Sequence, residues 1–257
     1  GMSEFMERYL QALGVKGSPL CVGLDPKPNH VPEEMLGRDV VGSIGSYLRK
    51  VIDLAAPEVA LVKPQFAYYE ALGPEGIAMM IETIEYAHEQ GLLVILDHKV
   101  SDIGETMEMY AQACFDIYNV DLVTFVPYLG CTFLPEKELD PSWLPWLEKG
   151  RGIIPMIMTS NVKATQLQHL VLDDGRMVYQ AMADLVVDWA QQVNDLTGGA
   201  GMVAGVVGAT YPDEAIEIRR RVGDELPFLV PGYGAQGGGA AGAIAGLPTD
   251  GVTRLFV

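Results

Sequence analysis

Basic side chains are scarce in this chain of 257 residues: Lys and Arg number 17 against 34 Asp and Glu, a formal net charge of −17. An acidic surface excludes a broad footprint on nucleic acid or on an anionic membrane, because both need clustered cations. It leaves room for one phosphate in a pocket, held by backbone N–H groups and one or two cations. Cysteine is also sparse. Cys21, Cys114 and Cys131 are too few and too scattered for a disulfide framework or a zinc site, and read as small buried hydrophobes. His30, His88, His98 and His169 are dispersed and resemble no metal triad, so no metal is expected. No run approaches the ~18 uncharged apolar residues of a membrane span, and no basic-then-apolar leader opens the chain. The expected location is cytoplasmic.

What is present is a recurring pair of patterns. Short Val/Ile/Leu-rich runs occur at 19–24, 59–63, 92–97, 121–126, 152–159, 202–208, 227–232 and 252–257. Most lack in/out alternation, as strands buried on both faces of a parallel sheet do. Between them, 75–91, 102–119, 177–194 and 211–223 carry helical periodicity. In the second of these the spacing puts Ile103, Met107, Tyr110, Cys114 and Ile117 on one face. The alternation predicts an α/β protein, a (β/α)8 TIM barrel forming a single domain over 1–257, with a doubly wound open sheet as the alternative. The Pro- and Trp-containing segment 131–150 reads as an elaborated loop with a short helix.

In such a barrel the active face lies at the C-terminal ends of the strands. The polar residues ending the runs are few: Asp25, Lys63, Asp97 with Lys99 and Asp102, Thr159 with Ser160 and Asn161, and Gly232 through Gly238. Strand residues two apart share a face, so Asp97 and Lys99 project together while His98 points away. Asp102 is expected to begin the next helix and turn back over the strand end. Interleaved with Lys63, these carboxylates would hold a lysine protonated, as a proton donor and not a Schiff-base nucleophile. The matching chemistry is decarboxylation without an electron-sink cofactor, followed by protonation of the carbanion. A surface ion-pair cluster fits the spacing equally. The stretch VPGYGAQGGG (230–239) suits a phosphate after the seventh strand, or a tight turn with no ligand.

Taken in order, CVGLDPKP, VKPQFAYYEALG, LDHKVSDIGET, MTSN, VVGATYPDE and PGYGAQGGG resemble the orotidine 5′-phosphate decarboxylases, in particular their longer-chain branch. The similarity spans roughly residues 20–257. It implies conversion of orotidine 5′-phosphate to UMP and CO2, the last step of de novo UMP synthesis, with no metal or organic cofactor. Asp25 would bond ribose hydroxyls and Lys63 would belong to the charged network. Asp97 and Asp102 would flank the substrate carboxylate, and Lys99 would protonate C6 of the pyrimidine. Asp102 and Thr106 would act across a homodimer interface. Ser160 would contact the pyrimidine edge, and Gln236 would bridge base and phosphate. Backbone N–H groups at Gly234, Gly237 and Gly238 would hold the phosphate. The resemblance also implies a phosphate-binding arginine after the eighth strand and a final helix. Here Arg254 sits early in that strand and the chain stops at GVTRLFV, so the C-terminal helix is expected to be missing. Two rival readings are a Mg-dependent sugar-phosphate decarboxylase of the same superfamily and a non-catalytic nucleotide-binding barrel.

Overall fold

The apolar runs become strands. β1 (Cys21–Leu24), β2 (Leu61–Pro64), β3 (Leu93–Val100), β4 (Leu122–Phe125) and β5 (Gly152–Met158) pair in parallel in chain order. β6 comes in two short pieces, Met202–Val203 and Gly205–Val207, both paired with β5. β7 (Phe228–Leu229) and β8 (Leu255–Phe256) complete the set. Two backbone hydrogen bonds bring β8 round to the first strand: Cys21 N–H donates to Val257 O at 2.6 Å and Val257 N–H to Pro19 O at 3.0 Å. The sheet is therefore a barrel and the open doubly wound alternative falls. This computed structural model describes residues 2–234 and 236–257.

Side-chain parity separates two cores. Leu61, Leu93, Ile95, Leu122, Ile154 and Phe256 point inward and form the barrel interior. Val62, Val94, Leu96, Val123 and Leu255 point outward under the helices. Continuing the inward parity along β2, β3 and β4 reaches Lys63, Asp97 and Thr124 at the C-terminal end, where the hydrophobic filling stops.

The opposite end is sealed by α1 (Glu4–Lys16), an element the sequence reading did not single out. Ser3 caps it by accepting from Met6 N–H, and Gly17 ends it in the left-handed region at φ 75°. Phe5, Met6 and Tyr9 plug the barrel floor. Tyr9 meets Phe256 edge-on at 4.8 Å between ring centroids and donates to Leu255 O at 2.6 Å. With one end stoppered, the mouth at the strand C-termini is the accessible end.

The outer ring consists of α2 (Val40–Ala55), α3 (Phe66–Glu70), α4 (Gly73–Glu89), α5 (Gly104–Ala111), α6 (Leu144–Leu147), α7 (Thr165–Gln168), α8 (Val178–Thr197), α9 (Pro212–Val222) and α10 (Ala240–Ile244). The segment 131–150 is the expected loop with one short helix, α6. The expected helix 102–119 differs in both ends. It begins at Gly104, and beyond Ala111 it widens into a π turn in which Tyr118 N–H reaches back five residues to Ala113 O. The extra residue rotates the predicted face, so Met107 and Cys114 are buried while Ile117 is turned out to solvent. Ile103, ahead of the first helical turn, is exposed as well.

Candidate active site

Asp97 is the hub of the mouth. Its Oδ1 accepts from Lys99 Nζ at 2.6 Å and from Thr124 Oγ1 at 3.1 Å, and its Oδ2 faces Lys63 Nζ at 3.4 Å. Burial alone would push the Asp97 carboxyl up. The ammonium groups of Lys63 and then Lys99, with hydrogen bonds from Lys99 and Thr124, outweigh that and hold it below the ordinary aspartate value. Lys63 is the mirror case: its burial disfavours the cation, but Asp97, Cys21 and Asp25 around it raise its pKa. Asp25, at the end of β1, is raised by desolvation, with Asp97 adding and Lys63 opposing. The result is a carboxylate kept ionised between two ammonium groups, beside a second carboxylate that ionises less readily.

The expected pairing of Asp97 and Lys99 is present, but simple strand alternation does not produce it. Between Leu96↔Val123 and Val100↔Phe125 the register shifts, so three residues of β3 face the single residue Thr124 on β4. Lys99 sits in this bulge at φ 55°, a left-handed conformation uncommon for lysine. Its side chain is about half exposed and leans over the mouth toward Asp97. His98 does point away, stacked on Phe66 at 3.8 Å between ring centroids behind the site. Thr124, which the sequence reading passed over, lies under this corner and is 1% exposed. The only signal was one hydroxyl in the otherwise apolar run LVTF.

Asp102 does not begin the helix. It precedes α5 by two residues, and its Oδ1 accepts from the adjoining Ile103 N–H at 2.8 Å. Among the described residues it forms no ion pair, so one chain contributes Lys63, Asp97 and Lys99 to the cluster but not Asp102. Thr106, one turn into α5, is exposed to solvent.

The rim is built from loops. Ser160 follows β5, and its hydroxyl donates to Gln236 Oε1 across the mouth. Each residue of the Thr159–Asn161 segment is tied by another element. Gln168 accepts from Thr159 N–H at 2.8 Å and donates to Thr159 Oγ1 at 2.7 Å. Thr210 Oγ1 donates to Ser160 O at 2.7 Å, and Tyr211 OH to Asn161 O at 2.9 Å. Gly232, at φ 92°, lies so close that a Cβ there would fall 2.9 Å from Ser160 Cβ and 3.1 Å from Gln236 Oε1.

The glycine-rich turn after β7 uses its N–H groups internally. Gly234 N–H donates to Gly238 O, Gly237 N–H to Gly234 O and Gly238 N–H to Gly232 O, at 2.8–3.0 Å. Ala235, inside the same stretch, lies outside the described residues. The groups expected to hold phosphate must be redirected before they can do so. Arg254 is no substitute cation at this end: it pairs with Asp250 at 2.8 Å and donates to Asp224 O at 3.1 Å, at the start of β8 and so at the floor. Among the described residues no group of three or more His, Cys, Asp and Glu side chains could hold a metal ion.

A closed parallel barrel with a lysine–carboxylate cluster at its mouth defines a class, the (β/α)8 barrels with a C-terminal-face site. Sequence comparison narrows it. Residues 18–253 match the profile of the orotidine 5′-phosphate decarboxylase / HUMPS family, and the chain belongs to that family. It is 38% identical over 257 residues to the orotidine 5′-phosphate decarboxylase of Ralstonia pickettii, covering 98% of this chain and 87% of that one. The enzyme of the same name from Bordetella avium is 39% identical over 242 residues, with 91% and 80% covered. The Leishmania donovani OMP decarboxylase structure superposes with a TM-score of 0.76 at 29% identity, covering 99% of this chain and 88% of that one.

Proposed function

We propose that this protein is a carboxy-lyase that converts orotidine 5′-phosphate to UMP and CO2. The observation that carries the reading is the Lys63–Asp97–Lys99 cluster at the strand ends of a barrel of this family. A substrate carboxylate brought beside Asp97 would meet a like charge, and the C6–carboxyl bond is the one that relieves it. When that bond breaks, the electron pair stays at C6 and CO2 leaves. Lys99 Nζ then gives its proton to C6, and the resulting amine recovers a proton from solvent. Asp97 holds the Lys99 ammonium in place, and Asp25 accepts from ribose hydroxyls. Ser160 and Gln236 read the base from the rim. Gly234, Gly237 and Gly238 turn their N–H groups to the phosphate as the loop closes over it. None of these steps routes a proton or an electron pair through a cofactor.

The site is completed by a second copy of the chain. Asp102 and Thr106 serve the neighbouring subunit. In support, Asp102 takes no cation of its own chain among the described residues, and Thr106 lies beside the exposed apolar side chains Ile103 and Met109. Three free thiols support action in the cytoplasm, and no described helix is long and apolar enough to cross a membrane.

The test is loss of orotate absorbance on incubation with orotidine 5′-phosphate, with and without chelator. Turnover that survives chelation supports this chemistry; absence of CO2 release from orotidine 5′-phosphate by folded protein overturns it. Mixing inactive Lys99→Ala and Asp102→Ala proteins should restore about a quarter of the activity, because half the exchanged dimers carry one intact site. No recovery despite demonstrated subunit exchange overturns the shared site.

A further inference from the structure

Bulging three residues of β3 past one residue of β4 takes the N–H groups of His98 and Lys99 out of the ladder at a partly buried place. Both find the same acceptor: each donates to Thr124 Oγ1 at 2.9 Å. The Thr124 hydroxyl proton then has two candidate acceptors, Asp97 Oδ1 at 3.1 Å and Leu96 O at 3.5 Å, and the shorter goes to the carboxylate. One hydroxyl offers a single donor and two lone pairs, so these three bonds saturate it. Its donor end fixes the Asp97 carboxylate, and its acceptor end fixes the backbone from which Lys99 springs. Lys99 Nζ closes the loop on the same Asp97 oxygen at 2.6 Å.

We propose that Thr124 is a positioning residue for the decarboxylation, setting Asp97 and Lys99 in register with each other from beneath without touching the substrate. The proposal rests on the functional reading above. The left-handed Lys99 backbone is strained and persists only where its surroundings over-determine it. In this corner the paired acceptance by Thr124 does that. Serine would keep the hydroxyl. Valine would keep the shape and the β-branch but leave two part-buried N–H groups without their acceptor and take from Asp97 Oδ1 one of its two donors. Lys63, Asp25 and Cys21 also face Asp97, from β2 and β1, and all remain in either variant.

The experiment compares wild type, Thr124→Val, Thr124→Ala and Thr124→Ser for kcat and KM on orotidine 5′-phosphate. It also measures affinity for UMP and for a UMP analogue carrying an oxyanion at C6. Misplacing a reacting group by about an ångström costs on the order of 100-fold, so Val and Ala should each lose about 30- to 100-fold in kcat with KM within about 3-fold. Affinity for the C6-oxyanion analogue should fall in parallel, while UMP binding stays within about 3-fold and Ser restores most of the rate. The alanine variant, which leaves space in place of a methyl, answers the question where valine fails to fold. Equal kcat in Ala, Val and wild type overturns the role, as does a loss shared by UMP and the analogue or a serine variant no better than alanine. Wild-type protein that binds UMP but releases no CO2 overturns the functional reading, and this role with it.

Discussion

Lys99 and Ser160 sit at the same barrel mouth and are held there by different means. Lys99 is set by two adjacent strands: a bulge in β3, a buried hydroxyl on β4 and a carboxylate within the same bulge. Ser160 hangs from a loop whose three residues are tied one by one to Gln168, Thr210 and Tyr211, and it meets Gln236 from a second loop. The strand-built corner has little freedom, since Asp97, Thr124 and the His98 and Lys99 backbone N–H groups are bonded to one another across the two strands. The loop-built rim is a chain of one or two bonds to exposed or half-exposed groups, and its glycine turn bonds within itself. Under the proposed function, chemistry that needs a fixed ammonium is thereby separated from binding that needs a surface able to open and close.

This contrast predicts that substitutions in the corner act on kcat and substitutions at the rim on KM. The largest effect is expected for Lys99→Ala. Removing the proposed proton donor should lower kcat by about 1,000-fold or more without loss of fold, judged by circular dichroism and thermal melting. A variant retaining more than a tenth of the wild-type rate would remove Lys99 from the chemistry.

Next comes Gly232→Ala. The position has φ 92° and a Cβ there would meet Ser160 Cβ at 2.9 Å, so the methyl both strains the backbone and pushes the rim apart. We expect kcat/KM to fall about 30- to 100-fold, carried mainly by KM, with a melting temperature lower by about 2–4 °C. A purely kcat effect would show that the rim and the corner are coupled. Gln168→Ala is milder. It removes two hydrogen bonds to Thr159, and should raise KM about 5- to 10-fold while kcat stays within about 2-fold.

The same contrast explains what could be read from the residues beforehand. Apolar runs without alternation announced the eight strands, because parallel strands bury both faces whatever they pair with. The charges ending β2 and β3 announced the corner, since inward parity carries Lys63 and Asp97 to the mouth. Thr124 was invisible because its role depends on a bulge, and a shift of register leaves no mark in hydropathy. The π turn after Ala111 was hidden for the same reason, and with it the exposure of Ile117. At the rim, the N–H groups of the glycines read as a phosphate loop hydrogen-bond within the turn itself. Glycine marks a backbone that must bend but does not say which partner its N–H will take. The plug helix α1 was missed although Phe5, Met6 and Tyr9 are spaced for one face, because nothing in that stretch carries chemistry.

Asp97 and Asp25 carry the comparison into pH. The Asp97 carboxyl titrates below the ordinary value, so its ionisation stabilises the folded chain above the unfolded pKa of about 4, and that contribution is lost as pH falls through the folded value. The Asp25 carboxyl is raised, so its ionisation costs stability once pH exceeds its folded value, and the cost is absent below the unfolded value. Asp97→Asn should therefore lower the melting temperature at pH 7, leaving Lys63 and Lys99 without their carboxylate, and the gap to wild type should narrow below about pH 4. Asp25→Asn should do the reverse. It should raise the melting temperature at pH 7 by about a degree or two, the smaller figure because solvent screens this side chain, and the gain should disappear below about pH 4. Melting curves of the three proteins from pH 3.5 to 8 measure both signs at once. Shifts of the same sign at pH 7 would mean that the two carboxylates feel one common environment, and that the mouth does not hold one ionised at the other's expense.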